Sequence, residues 1–140
     1  MGIDLIPETV VEVTALWTIA VNRNQDLLGK SMLVLRRECT AVVEVHEDEW
    51  VALRTELRRL VAALEALFHP DQVNFAFLMN LDAQVHLHVI PRYARPRTWR
   101  GRRFVDLHWG AAFGPEQRVL STPDLEALAS AVGRALHGSG

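Results

Sequence analysis

The 140-residue chain lacks several features that usually direct a reading. Its one cysteine, Cys39, leaves no internal disulfide, suits a reducing compartment, and in apolar surroundings reads as a core filler. Lysine is almost missing, and arginine supplies nearly all the positive charge. No apolar run approaches a membrane span. The opening MGIDLIPETV has no basic segment leading into an apolar run, so no secretory leader is expected. Ile6 stands where a myristoylation signal wants Ser or Thr. The formal charge of -2 offers no global attraction to nucleic acid or to an anionic membrane. There is no HExxH pattern, no internal repeat and no linker. GKS at 29–31 is not a phosphate loop, because Asn24 occupies the upstream glycine position and Ser31 opens a strand rather than a helix. These absences point to one soluble, cytoplasmic domain over residues 1–140. About half of it is hydrophobic (49%), enough to build a core.

What is present alternates or repeats with clear periods. Residues 15–21 (ALWTIAV) and 31–35 (SMLVL) read as strands joined by the turn-rich NRNQDLLGK. From His46, the residues Trp50, Leu53, Leu57, Leu60, Val61, Leu64 and Leu67 recur at helical spacing. Glu47, Asp48 and Glu49 lie in the first turn, and Pro70 ends the helix after 46–68. Residues 73–79 (VNFAFLM) and 84–90 form two further strands, the second stopped by Pro91. Residues 91–118 show no period and read mainly as loop. STPD at 121–124 starts a short helix that runs to about Leu136, and HGSG frays its end. Strands, a long helix, more strands and a final helix describe an α+β domain with a mostly antiparallel sheet. Trp17, Trp50 and Trp109 are expected in core or interface packing.

The segment QVHLHVIPRY, 84–93, places Gln84, His86 and His88 on one strand face, roughly 6.6 Å apart, with Val85, Leu87 and Val89 opposite. Three readings follow. The row is a solvated strand face, or His86 and His88 are two ligands of a metal, or one imidazole is a nucleophile. The metal reading needs a third ligand, and His46, His69, His108 and His137 stand in no ligand pattern. A neutral imidazole attacks phosphorus well near neutral pH, and its phosphoramidate hydrolyses readily, so one hard displacement becomes two easier ones. The cluster RYARPRTWRGRR reads as a solvated loop, as a contact for distal phosphates, or as a nucleic-acid surface with Trp99 stacking on a base. With no nucleic-acid module elsewhere, that last reading is disfavoured.

QVHLHVIPR resembles the signature of the histidine triad (HIT) superfamily, a His-x-His-x-His run with apolar residues between and often Pro-Arg after it. WTIAVNRNQDLLGKSMLVLRR resembles the opening strands of that fold, the 46–68 helix its main helix, and VNFAFLMN the strand before the triad. The likeness covers roughly residues 12–110 and is closest to the diadenosine polyphosphate hydrolase, or fragile-histidine-triad-like, branch.

The resemblance implies a HIT-like α+β fold with a five-stranded sheet, one long helix and a short C-terminal helix, assembled as a homodimer. It implies that His86 is the nucleophile, attacking the α-phosphate of a nucleotide substrate, and that His88 contacts phosphate oxygens. Asn80 would hold phosphate, Asn22 the ribose hydroxyls, and Leu16 and Ile19 would flank the base. No tightly bound cofactor or protein-held metal is implied, though magnesium can accompany a polyphosphate substrate. Gln84 departs from the pattern, standing where the first histidine belongs, and an amide neither takes up nor releases a proton at neutral pH. The implied activity is nucleotide hydrolysis through a nucleotidyl-histidine. Transfer to phosphate or another acceptor, or nucleotide binding with little turnover, are the alternatives.

Overall fold

The apolar alternations become one five-stranded sheet in a computed structural model that describes residues 5–138. Strands β1 (Val10–Val13), β2 (Trp17–Val21), β3 (Ser31–Leu35), β4 (Gln72–Ala76) and β5 (His86–Arg92) lie in the order β1-β2-β3-β5-β4. Each neighbouring pair is antiparallel. A separate hairpin joins β6 (Arg97–Trp99) to β7 (Arg102–Phe104), and two helices, α1 (Glu47–Phe68) and α2 (Thr122–Gly138), complete the chain. The expected α+β architecture, with its antiparallel five-stranded sheet, long helix and C-terminal helix, is present.

Strand geometry decides which face is covered. Trp17, Ile19 and Val21 on β2, Leu33 and Leu35 on β3, and Leu87 and Val89 on β5 share one side of the pleat and are all buried. Leu53, Leu60, Leu64 and Phe68 of α1 and Leu125, Leu128, Val132 and Leu136 of α2 join them in one core. Full burial of such side chains stabilises by about 1.5–3 kcal/mol each, so this face fixes the strand register.

Glu49 ties the start of α1 to the sheet. Its carboxylate accepts from Arg37 Nε and Nη2, both at 2.9 Å, and from the His46 backbone N–H at 2.8 Å. Its backbone carbonyl accepts from Trp17 Nε1 at 2.9 Å. The helix ends where His69 turns left-handed at φ 50°, followed by Pro70.

Several boundaries differ from those expected. β1 was not foreseen, because VVEV is too short and too half-buried to stand out. β5 runs through Pro91 to Arg92. The Arg92 carbonyl accepts from Asp71 on the β4 side, so the Pro91 nitrogen faces the other way, and there the pairing with β3 has already ended at Ser31–Val89. No ladder hydrogen bond is lost. β4 stops at Ala76 rather than 79, and Met79 has φ 52°. The supposed loop of 91–118 contains the β6–β7 hairpin, whose turn residues Arg100 and Gly101 both have positive φ, at 49° and 73°. α2 is longer than expected, with His137 and Gly138 still helical. Ser139, Gly140 and the first four residues, where part of the leader reading falls, lie outside the described residues.

Cys39 and Trp17 are core residues as expected, whereas Trp50 and Trp109 remain partly exposed. Among the described residues no helix is long and apolar enough to cross a membrane.

The Arg37 guanidinium holds the Glu49 carboxyl down at about 2. A depressed carboxylate contributes stability above its unfolded value, and that contribution is lost as pH falls toward the folded one. Glu49→Gln should therefore lower Tm by a few degrees at neutral pH. The gap from wild type should narrow from below about pH 4.5 and close near the carboxyl's value of about 2, as followed by thermal melts across pH.

Candidate functional site

The other face of the sheet carries the histidines. His86 and His88 alternate with the core residues of β5, and the register extends their face across β3 and β2. Val34 and Thr18 stand beside His86, and Met32 and Ala20 beside His88. Asn22 follows β2 directly and donates its backbone N–H to the Lys30 carbonyl at 2.8 Å.

Two hydrogen bonds set the state of the imidazoles. His86 Nδ1 lies 2.7 Å from the Gln84 backbone carbonyl. A carbonyl only accepts, so Nδ1 carries the hydrogen and neutral His86 presents its lone pair at Nε2. His88 Nε2 lies 3.1 Å from that atom and donates to it. His88 Nδ1 is then an acceptor, buried and without a partner. Burial first, then the neighbouring His86 and Lys30, push His88 down to about 4, so it is neutral near pH 7. Asn22 Oδ1 is the other buried side-chain atom without a partner among the described residues. Two unsatisfied acceptors on the face that carries the imidazoles suit a ligand that brings hydroxyl donors.

The Gln84 side chain is not part of that row. Its Nε2 donates to the Leu35 and Arg37 carbonyls at 2.7 and 2.8 Å, and its Oε1 accepts from the Cys39 N–H at 3.0 Å. Only its backbone carbonyl meets His86. The reading of the row as a solvated strand face is set aside, since Gln84 and His86 are both buried.

Ile19 lies on the core face, opposite the histidines, so it cannot flank a base held against His86. Thr18 and Ala20 are the β2 residues on the histidine side of the sheet, the even positions beside the bulky apolar row of Trp17, Ile19 and Val21. Leu16 precedes β2 in a bend and is half-buried against the core. Asn80 is exposed beyond the end of β4, in the connection to β5.

Most of the arginine cluster is already engaged. Arg92, buried at 2% exposure, spends its five N–H donors on both Asp106 oxygens, Asn74 Oδ1 and the carbonyls of His108 and Ala111. Arg97 donates to the Phe68 and His69 carbonyls at the end of α1. Arg100 and Arg102 pair with Asp124 in the first turn of α2. Arg95 and Arg103 are exposed. Arg92 thus clamps the segment after β7 beside the far end of the histidine face, where a His108–Glu116 pair spans it. A cavity of about 240 Å³ lies there, lined in part by Asp26, Leu27, Asp106, His108 and Glu116. A wider depression of about 970 Å³, between the N-terminal turn and α2, is lined by neither His86 nor His88. No group of three or more His, Cys, Asp or Glu among the described residues is placed to hold a metal ion.

No protein-family model matches the chain, and no curated protein matches it in sequence. Solved structures do match. A histidine triad protein from Bradyrhizobium japonicum superposes with TM-score 0.70 at 22% identity, covering 97% of this chain and 99% of that one. A histidine triad protein from Marinobacter aquaeolei gives 0.71 at 19% identity, with both chains fully covered (100%). The diadenosine triphosphate hydrolase of Plasmodium falciparum gives 0.74 at 15% identity, covering 98% of this chain and 82% of that one. The chain has the histidine triad fold.

Because Gln84 uses its amide as a bridge between backbone segments, its exact shape matters. Gln84→Glu would set a carboxylate against two carbonyls in a buried site, and should cost about 2 kcal/mol or more. Chemical denaturation will measure that loss, with Gln84→Ala as the neutral comparison.

Proposed function

We propose that the chain is a nucleotide hydrolase of the HIT superfamily, acting at the α-phosphate of a nucleoside phosphate or dinucleoside polyphosphate. One observation carries this reading: the relay from the Gln84 carbonyl through His86 to His88, which turns the His86 Nε2 lone pair toward His88 on the sheet face opposite the core. In this reading Nε2 attacks the α-phosphorus, the bond to the leaving oxygen breaks, and a nucleotidyl-His86 forms. The ring gains positive charge, and its Nδ1–H bond to the Gln84 carbonyl strengthens with it. His88 turns its Nε2–H from His86 to a phosphate oxygen. Water then attacks phosphorus, the P–N bond breaks, and a nucleoside monophosphate leaves. The unpartnered Asn22 Oδ1 would accept from a sugar hydroxyl. A role for exposed Asn80 in holding phosphate would require its connection to fold toward the site. Magnesium would arrive with a polyphosphate substrate rather than on protein ligands.

The test is an alkaline quench of the enzyme with a dinucleoside polyphosphate radiolabelled at the α-phosphate. Acid-labile label on wild type and none on His86→Asn is expected, with monophosphate as the product. Diphosphate formed on adding inorganic phosphate would make it a phosphorylase. Calorimetric nucleotide binding with no label or turnover would make it a binding protein instead.

A homodimer is part of the same proposal. β4 is an edge strand with Phe75 about half exposed (48%), beside a shallow groove lined by Leu57 and Val61 of α1. Unpaired edges with apolar flanks are ready templates for another chain. Light scattering should report a dimer for wild type and a monomer for Phe75→Glu.

A further inference from the structure

The chain has a single lysine, and it lies on the histidine face. Lys30 precedes β3 and alternates with Met32 and Val34, whose partners across the sheet are His88 and His86. Its side chain is only 12% exposed. An ammonium has three N–H donors, yet Lys30 Nζ makes one hydrogen bond among the described residues, to Asp26 Oδ1 at 3.1 Å. Asp26 is itself nearly buried at 7%, so the pair is kept from water while two ammonium donors remain open.

The surroundings supply an independent indication. Lys30 sits between Asn22, which bonds to its carbonyl, and His88, which feels its charge. Asn22 Oδ1 and His88 Nδ1 are the unpartnered buried atoms described above. Open donors on a cation and two unsatisfied acceptors thus belong to neighbouring residues of one sheet face. A ligand carrying both anionic oxygens and hydroxyl hydrogens would satisfy all of them. The arginines Arg37, Arg92 and Arg97 differ, because a planar fork spends several donors on protein carbonyls and carboxylates at once. A compact ammonium held by one carboxylate keeps donors in reserve.

We propose that Lys30 is a phosphate-binding residue of this site, taking non-bridging oxygens of an anionic substrate, with Asp26 as its resting counter-ion. The assignment rests on the reading of the histidine face as a nucleotide site. A phosphate oxygen shares the ammonium with the Asp26 carboxylate, and the two anions repel. Removing the charge of Asp26 therefore favours the ligand, whereas removing that of Lys30 disfavours it.

The test is calorimetry on the full chain with inorganic pyrophosphate, adenosine monophosphate and uncharged adenosine, beside thermal melts. Lys30→Met should weaken pyrophosphate binding about tenfold or more, leaving adenosine unchanged. Lys30→Arg should restore part of that loss, and Asp26→Asn should tighten pyrophosphate by about twofold or more. A purely structural i,i+4 clamp predicts otherwise: Lys30→Met and Asp26→Asn would lower Tm alike and leave both anion affinities at wild type. That result overturns the assignment alone. Wild type binding neither anion would overturn the reading of the histidine face, and this assignment with it. If Lys30→Met does not fold, Asp26→Asn decides: tighter pyrophosphate binding supports the proposal, and unchanged or weaker binding overturns it.

Discussion

The site depends on the Gln84 bridge. Its amide joins the start of β5 to the chain leaving β3, through three hydrogen bonds to the backbone of residues 35–39. Val85 adds two backbone bonds, to Leu35 and Cys39. Held this way, the Gln84 carbonyl has no freedom to leave His86 Nδ1, and the tautomer of His86 follows. The lone pair at Nε2 is thus a consequence of backbone placement one turn of the pleat away, and it needs no carboxylate to orient the ring. A buried amide with every donor and acceptor used is also a rigid element, since moving it exposes the desolvation cost of all its partners.

The same bridge explains why this position misleads a reader of the sequence. Period-two alternation correctly separated Leu87 and Val89 from His86 and His88, because burial of a sheet face enforces it. It also placed Gln84 in the histidine row, where its Cα belongs but where its side chain does not go. Alternation describes where a Cβ points and is silent about a long side chain that bends to the backbone of a neighbouring strand. The long helix and the five strands were legible because each buries a periodic row. Pro91 was misjudged because the cost of a proline depends on which side its nitrogen faces, which is a property of sheet order. Ile19 was a different error, since Trp17-x-Ile19-x-Val21 already displayed the core row. Lys30 stands in a GKS triplet that only mimics a phosphate loop, while its position follows from the alternation of β3.

The arginines were legible as a cluster and illegible as a set of clamps. Their partners, Asp106, Asp124 and the last carbonyls of α1, come from distant parts of the chain. Four of them fasten the β6–β7 region to α1, α2 and the end of β5, and the segment carrying His108 and Glu116 is thereby held beside the sheet. The Arg92–Asp106 pair, buried with every guanidinium donor satisfied, specifies one arrangement more than it adds stability. What it specifies is a wall at one end of the histidine face.

The engagement of Gln84 also bears on chemistry. A first-position histidine could share a proton with a departing oxygen, whereas this amide has no acidic proton to transfer at neutral pH and its N–H donors are already committed to carbonyls. Proton delivery from that position is therefore absent in the proposed reaction, and the leaving group must carry its own charge away. Phosphate and nucleotide oxygens do so readily at neutral pH, while an amine or an alkoxide does not. Charge left on the departing oxygens must then be met by something fixed in place, because transfer of phosphoryl groups rests mainly on positioning and electrostatic stabilisation. His88 is neutral in the resting site, held down by its burial and by the neighbouring His86 and Lys30. A site that gives up proton transfer gains most from a permanent cation close to the leaving phosphates. Among the described side chains near the two imidazoles, Lys30 is the one that keeps a charge and spare donors together.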